Sequence, residues 1–295
     1  MNRSIKDVAA ENTGGTGKRS AFSSCLLFSE ISESALERRR RGSPVAITAL
    51  AVLFFVTVSP SSFASSDECV VLLHGLGRTS LSMKKLENNL EKSGYIVWNQ
   101  GYPSREKTIE ELASVVGEGI EECRKEKARK VHFVTHSLGG ILVRQYFQDH
   151  AVPEARRVVM LGPPNHGSEI TDRYKDAWWY QEATGPAGQQ LGTRPDSLPN
   201  RLKPIPLEIG IIAGTSGGDL FSSEFKDAND GKVSVESTKL AEMKDFLAVD
   251  TGHTFIMNSD EVIVQVMHFL KRGRFDRPKA APSPVTAPAG TSPSR

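Results

Sequence analysis

The sequence predicts an α/β protein with a mostly parallel central sheet and helices on both of its faces. Short apolar runs alternate with amphipathic helical stretches from Cys69 to Lys271. Those runs lack the polar alternation of a strand with one wet face, so both faces of the sheet should be covered. The chain has 295 residues, 38% hydrophobic and 24% charged, which suits one ordinary globular core.

The elements follow in order. Cys69–Leu73 (CVVLL) reads as a buried strand. Ser80–Lys92 reads as a helix, with Leu81, Leu86 and Leu90 at helical spacing and Ser93-Gly94 ending it. Tyr95–Trp98 is a short strand. Ile109–Cys123 is a second helix, carrying Ile109, Leu112, Val115, Val116 and Ile120 on one side. Val131–Thr135 is a strand, Leu138–Asp149 a helix and Arg157–Leu161 a strand. Ile209–Ala213 and Phe246–Val249 are further strands, and Glu261–Lys271 is a closing helix. Two stretches break the rhythm. Residues 163–206 are rich in Gly and Pro and carry Trp178-Trp179-Tyr180, as expected of a lid or binding loop. Residues 273–295 are dominated by Pro, Ala and Ser and read as a disordered tail.

The first 64 residues read as a leader. Arg38 to Arg41 form a basic block, Val45–Val58 an apolar run, and Ser62-Phe63-Ala64 a small-x-small cleavage site. That order is expected of a signal peptide directing export, periplasmic or secreted. The run is short for a membrane span, so cleavage is expected over an uncleaved inner-membrane anchor. Residues before Arg38 are polar and unpatterned, and translation is expected to start later than Met1. Gly14–Arg19 lacks the spacing and preceding strand of a phosphate loop. The leader holds eight of the 37 basic and five of the 35 acidic residues, leaving 29 basic against 30 acidic. A near-neutral body gives no case for nucleic-acid binding.

The chemistry is carried by Thr135-His136-Ser137-Leu138-Gly139-Gly140, which follows an apolar strand and opens a helix. A sharp strand-to-helix turn presents a serine hydroxyl at the edge of a sheet, and small neighbours let strand and helix approach. Thr135 stands where the G-x-S-x-G pattern has its first glycine. The alternative is an ordinary serine N-cap. His74-Gly75-Leu76-Gly77-Arg78 closes the first apolar strand, where a loop N–H supplies half of an oxyanion hole. That half is assigned to Leu76 and the other to Leu138. His74 is expected to shape the loop by hydrogen bonding.

The segments HGLGR, THSLGG and PPNHGS together resemble the bacterial lipase/esterase branch of the α/β-hydrolase superfamily, over about Cys69 to Lys271. The resemblance implies an α/β-hydrolase fold with a lid or cap insertion and a Ser–Asp–His mechanism, with no cofactor and no metal in the chemistry. It implies a small-molecule or lipid ester as substrate. Contact with a membrane surface and the oligomeric state stay open. The acid and base should follow the serine in that order. Asp219, Asp227 and Asp230 compete for the acid. Asp230 lies in Asn229-Asp230-Gly231-Lys232-Val233, similar to the N-D-G-x-V turn that carries the acid in lipases. An ordinary Asx-Gly turn is the plainer reading. His253 occupies the loop before the last helix, where the family places its base. His132, His150 and His268 are expected to be structural or superficial, and His166 to be scaffold or substrate wall. Trp178, Trp179 and Tyr180 are the candidate substrate-binding residues, in an apolar acyl pocket or in lid packing.

Of the three cysteines, Cys25 lies in the leader. In the implied fold, Cys69 and Cys123 both fall near the bottom of the sheet. A disulfide and two separate buried thiols both fit, and geometry decides. Three functions compete: a carboxylester hydrolase; a thioesterase or acyltransferase with the same triad; and a non-catalytic binding protein on this scaffold. The last predicts a missing catalytic residue, yet all three are present in order.

Overall fold

Six strands pair side by side, all parallel, in the computed structural model, which describes residues 67–218 and 224–277. They are β1 (Glu68–Leu73), β2 (Ile96–Trp98), β3 (Lys130–His136), β4 (Ala155–Leu161), β5 (Glu208–Gly214) and β6 (Asp245–Val249). Their order across the sheet is β2-β1-β3-β4-β5-β6. The leader, with its apolar run at 45–58 and its cleavage site, lies outside the described residues, as do Asp219 and residues 278–295.

Both faces of the sheet are apolar, which is why its strands read as unbroken runs. Val71, Leu73, Phe133, Met160 and Ile211 point to one face and pack against α2 (Ile109–Leu112), α3 (Ser114–Lys125) and α4 (Leu138–Asp149). Val70, Leu72, Val134, Leu161 and Ile212 point to the other, against α1 (Lys84–Lys92) and the closing helix that spans Asp260–Arg272. The β1–β3 register sets Leu73 beside Thr135, so the loop after β1 and the turn after β3 leave the sheet at the same edge.

Three expectations are corrected. The helix expected over 80–92 is a 3-10 turn (Ser80–Met83) followed by α1. The tighter turn rotates Leu81 off the stripe and leaves it 79% exposed, while Met83 is buried in its place. The helix expected over 109–123 breaks at Ala113, whose carbonyl accepts from Val116 N–H three residues on. Thr108 and Glu111 form a reciprocal capping box that starts α2. Residues 163–206, expected as a lid or binding loop, hold three helices: α5 (Glu169–Tyr174), α6 (Trp178–Gln189, broken at Gly185) and α7 (Leu198–Arg201). After β5 come α8 (Val235–Thr238) and, as α9, the closing helix Asp260–Arg272. Finally, the chain stays packed past residue 273. Gly273 caps α9 in the left-handed region, Phe275 is buried against Phe269, and Arg277 pairs with Asp245. An aromatic side chain in a stretch with no period escaped the compositional reading.

Cys69 and Cys123 are joined in a disulfide, with Cα atoms 5.7 Å apart and both side chains fully buried. It ties the start of β1 to the last turns of α3, across 54 residues of chain.

Candidate active site

Ser137 sits between β3 and α4 with φ 52° and ψ −119°, a left-handed conformation that a residue with a Cβ seldom adopts. Its N–H donates to Leu161 O on the neighbouring strand at 2.9 Å. Glycines make the tight turn sterically feasible. A Cβ at Gly139 would lie 2.7 Å from Leu73 O, and one at Gly75 would lie 2.7 Å from His136 Nδ1. Thr135 takes the place of the usual first glycine without obstruction. It is fully buried, and its hydroxyl faces Gly140, where a Cβ would stand 3.3 Å from it.

His253 opens a 3-10 turn (His253–Asn258) just after β6. Its Nε2 lies 3.0 Å from Ser137 Oγ, and its Nδ1 lies 2.7 Å from Asp230 Oδ2. Asp230 is fully buried in the loop after β5. Its other oxygen accepts from the N–H groups of Lys232 (3.0 Å) and Val233 (2.8 Å), and its carbonyl accepts from His253 N–H (2.9 Å). Asn229 Oδ1 accepts from Gly231 N–H, and Gly231 takes φ 94°, which the turn requires. The carboxylate is thus held at both oxygens. With Nδ1–H donating to it, the imidazole presents Nε2 as an acceptor to the serine hydroxyl.

The loop after β1 is fixed from below. Tyr102 N–H donates to His74 Nε2 at 3.2 Å, Tyr102 O–H donates to His74 O, and the two rings stack 4.0 Å apart. His74 Nδ1–H therefore donates to Gly75 O at 2.9 Å. Burial holds His74 below the usual histidine pKa, so it serves this network as a neutral ring. Gly77 N–H donates to Ser104 Oγ, and Arg78 donates to Thr254 O at 3.1 Å, joining the loop to the His253 turn. Among the described residues, the amides of Leu76 and Leu138 donate to no protein acceptor. Leu138 is the first residue of α4, where an N–H has no partner within the helix.

A cavity of about 270 Å³ opens beside Ser137. Its walls include Leu76, Pro164, Ile170, Leu191 and Val233, with Trp179, Tyr180 and Thr184 from α6, and Arg78 and Lys232. Two of the three expected substrate-side aromatics therefore line it. The exception is Trp178, which is 78% exposed and does not line the cavity. Tyr180 is buried, and its hydroxyl hydrogen-bonds Thr171 at 2.8 Å.

The other candidates fall elsewhere. His166 is exposed, pairs with Asn200 at 2.7 Å and lies outside the cavity wall, so the substrate-wall reading of it fails. Asp227 is exposed. His150 and His268 each contact a nearby carbonyl, and His132 is buried at the far end of the sheet, 3.3 Å from Glu68. Pro164 and Ser168 of the PPNHGS segment line the cavity, and the rest of the segment is scaffold. Asn165 accepts from the buried Arg144 of α4 and donates to Thr238 O, and Ser168 Oγ donates to Lys232 O at 2.6 Å, next to the acid turn. Burial pushes Arg144 down to about 10.

Three residues near the site escaped the sequence reading. His136 is fully buried, and its Nε2–H donates to the His253 carbonyl at 3.0 Å. Burial, with help from His253 and Arg78, keeps it well below the usual histidine pKa. Gly162 ends β4 with φ 54°, and a Cβ there would lie 2.9 Å from Asp230 Oδ2. His136 lies inside THSLGG, where only the serine and its neighbour were assigned a role, and no period or motif marks Gly162. Arg144 left one signal, a lone charge in the apolar run of its helix.

The parallel sheet, the strained turn after β3 and the order serine, carboxylate, histidine can be set beside known structures. The mature lipase of Bacillus licheniformis superposes with a TM-score of 0.56, at 22% identity over 68% of this chain and 90% of that one. The chain has the α/β-hydrolase fold. An esterase of Pyrococcus furiosus matches this α/β-hydrolase chain at TM-score 0.52 and 20% identity, over 70% of this chain and 82% of the other. A metagenomic carboxyl esterase matches at TM-score 0.52 and 17% identity, over 64% and 65%. At such identities the likeness concerns the fold. The palmitoyl protein thioesterase family model matches residues 69–194, less than half of the chain. No curated protein sequence matches it.

Proposed function

We propose that this α/β-hydrolase chain is a serine hydrolase that cleaves carboxylic esters through an acyl-enzyme. The observation that carries the reading is the unbroken hydrogen-bonded chain from Ser137 Oγ through the His253 ring to Asp230, at 3.0 and 2.7 Å. His253 Nε2 takes the hydroxyl proton as Ser137 Oγ attacks the acyl carbon. Asp230 holds the ring in the needed tautomer and stabilises the imidazolium. The unpaired amides of Leu76 and Leu138 receive the oxyanion, and losing one such donor typically costs about 3 kcal/mol of transition-state stabilisation. His253 then protonates the departing alcohol, and water activated by the same ring releases the acid. The apolar walls from Ile170, Tyr180 and Leu191 suit an acyl chain.

Thioester cleavage is the second reading. It is favoured by the thioesterase family model over residues 69–194, and it uses the same groups with a thiol leaving. Export is proposed as well, supported by the Cys69–Cys123 disulfide, since such bonds persist in oxidising compartments. The test is fluorophosphonate labelling followed by a p-nitrophenyl ester series of rising chain length and the matching acyl thioesters. Wild type should label and turn over, and Ser137→Ala should do neither. A wild type that neither labels nor turns over any ester or thioester would refute the proposal.

A further inference from the structure

The loop that carries the Leu76 amide is a tight turn. Arg78 N–H donates to Gly75 O at 3.1 Å and Gly77 takes φ 66°, so Leu76 and Gly77 are its central residues. That closing bond uses neither central amide. Gly77 N–H is taken by Ser104 Oγ at 3.0 Å, and Leu76 N–H is left without a protein acceptor among the described residues. The stem of the turn is held by the same neighbour segment. His74 Nε2 accepts from Tyr102 N–H, and His74 O accepts from the Tyr102 hydroxyl. Burial pushes the phenol up and the imidazole down, so the donor keeps its proton and the acceptor its lone pair. Tyr102 and Ser104 thus grip the chain on both sides of Leu76, at His74 and at Gly77.

The gripping segment is itself stiff. Ser104 N–H donates to Tyr102 O at 2.8 Å, Glu106 N–H donates to Pro103 O at 3.0 Å, and the proline ring fixes one φ between them. From the other side α6 breaks at Gly185, where a Cβ would stand 1.8 Å from Arg105 O. Ser104 is buried, and neither Ser104 nor Tyr102 lines the cavity.

Resting on the serine-hydrolase reading above, we propose that Tyr102 and Ser104 are positioning residues of the reaction, holding the turn of residues 75–78 so that the Leu76 amide meets the oxyanion. A donor fixed in advance needs no reorientation as charge develops, so an error in its place is read in kcat rather than in KM. Losing such a donor altogether typically costs about 10²- to 10³-fold in kcat, which sets the ceiling for loosening it.

The test removes single hydroxyls. Tyr102→Phe keeps the ring stacked on His74 and deletes one hydrogen bond, and Ser104→Ala deletes the acceptor of Gly77 N–H. Intact sites are counted by the end point of fluorophosphonate labelling, so misfolded protein is excluded from every rate. On a short p-nitrophenyl ester each variant should lose about tenfold in kcat, with KM within about twofold of wild type. The second readout is a pair of inhibitors with one alkyl chain, a trifluoromethyl ketone and the plain methyl ketone. The fluorinated member adds Ser137 Oγ reversibly and leaves a charged oxygen where the oxyanion forms, whereas the plain ketone binds uncharged. Ki of the first should rise in step with the fall in kcat/KM, and Ki of the second should stay within about twofold. Both variants within about twofold of wild-type kcat overturn the inference. So does a loss of kcat with the trifluoromethyl ketone Ki unmoved, or with both ketones weakened equally. If Tyr102→Phe gives no labelled protein, Ser104→Ala decides by the same readouts. Indifferent variants of an active enzyme defeat this inference alone, whereas a wild type that neither labels nor turns over defeats the reading beneath it.

Discussion

Gly162→Ala adds one methyl group at the point where Asp230 and His253 meet. The backbone there has φ 54°, and the new Cβ would stand 2.9 Å from Asp230 Oδ2 and 3.1 Å from His253 Nδ1. Those contacts are about half an ångström inside ordinary van der Waals separation, so something must give. Asp230 is anchored by two amides and by the His253 N–H, which leaves the imidazole ring as the softer partner. Moving it opens the 2.7 Å bond to Asp230 or the 3.0 Å approach to Ser137. A displacement of that size at a catalytic contact should lower kcat by about 10- to 100-fold, with a smaller effect on KM. An alanine at positive φ should also cost about 1–2 kcal/mol of stability, lowering Tm by about 5 °C for a domain of this size. The assay is steady-state hydrolysis of a short p-nitrophenyl ester well below Tm, with fluorophosphonate labelling rate as a second readout. Activity within about twofold of wild type would show that the acid–base contact does not depend on this close approach.

Other expectations follow from the same structure. Replacing Cys69 and Cys123 together by alanine should cost about 4 kcal/mol of stability for a closed loop of this length, measured by urea unfolding, with kcat retained below Tm because the bond lies far from Ser137. Stability should fall as pH drops from about 6.5 towards 4, because burial pushes His132 down to about 4 while the unfolded chain takes up the proton near 6.5. At pH 5 that site alone accounts for at most about 2 kcal/mol, and His132→Gln should flatten the urea midpoint's pH profile. Phe275→Ala should destabilise by about 3 kcal/mol, since Phe275 fills a buried place against Phe269. His136→Phe should lower kcat while the Ser137 hydroxyl still labels slowly, because it removes the donor that holds the His253 carbonyl.

Sequence reasoning reached the alternation of strands and helices because burial on both faces forces unbroken apolar runs, and a run such as Val131–Thr135 has no other use. It singled out Ser137 and Leu138 because the strand–turn–helix around THSLGG is local, and Leu76 because HGLGR closes the first apolar strand. Asp230 and His253 were singled out through the resemblance, which supplied a chain order that local patterning does not contain. Elements whose form depends on neighbours were misread. Leu81 fits a helical period but sits in a 3-10 turn.

By itself the sequence determined which residues are apolar, where turns can be tight and which serine stands at a strand end, since these depend on side-chain type and near-neighbour spacing. Only the tertiary structure decided that Cys69 meets Cys123, that Trp179 lines the cavity while Trp178 does not, and that Gly162 and His136 lie against the Asp230–His253 pair. Each of those is a contact between segments brought together by sheet register and helix packing. Such distances are set by the three-dimensional sum of many burials, and no single stretch of chain records them.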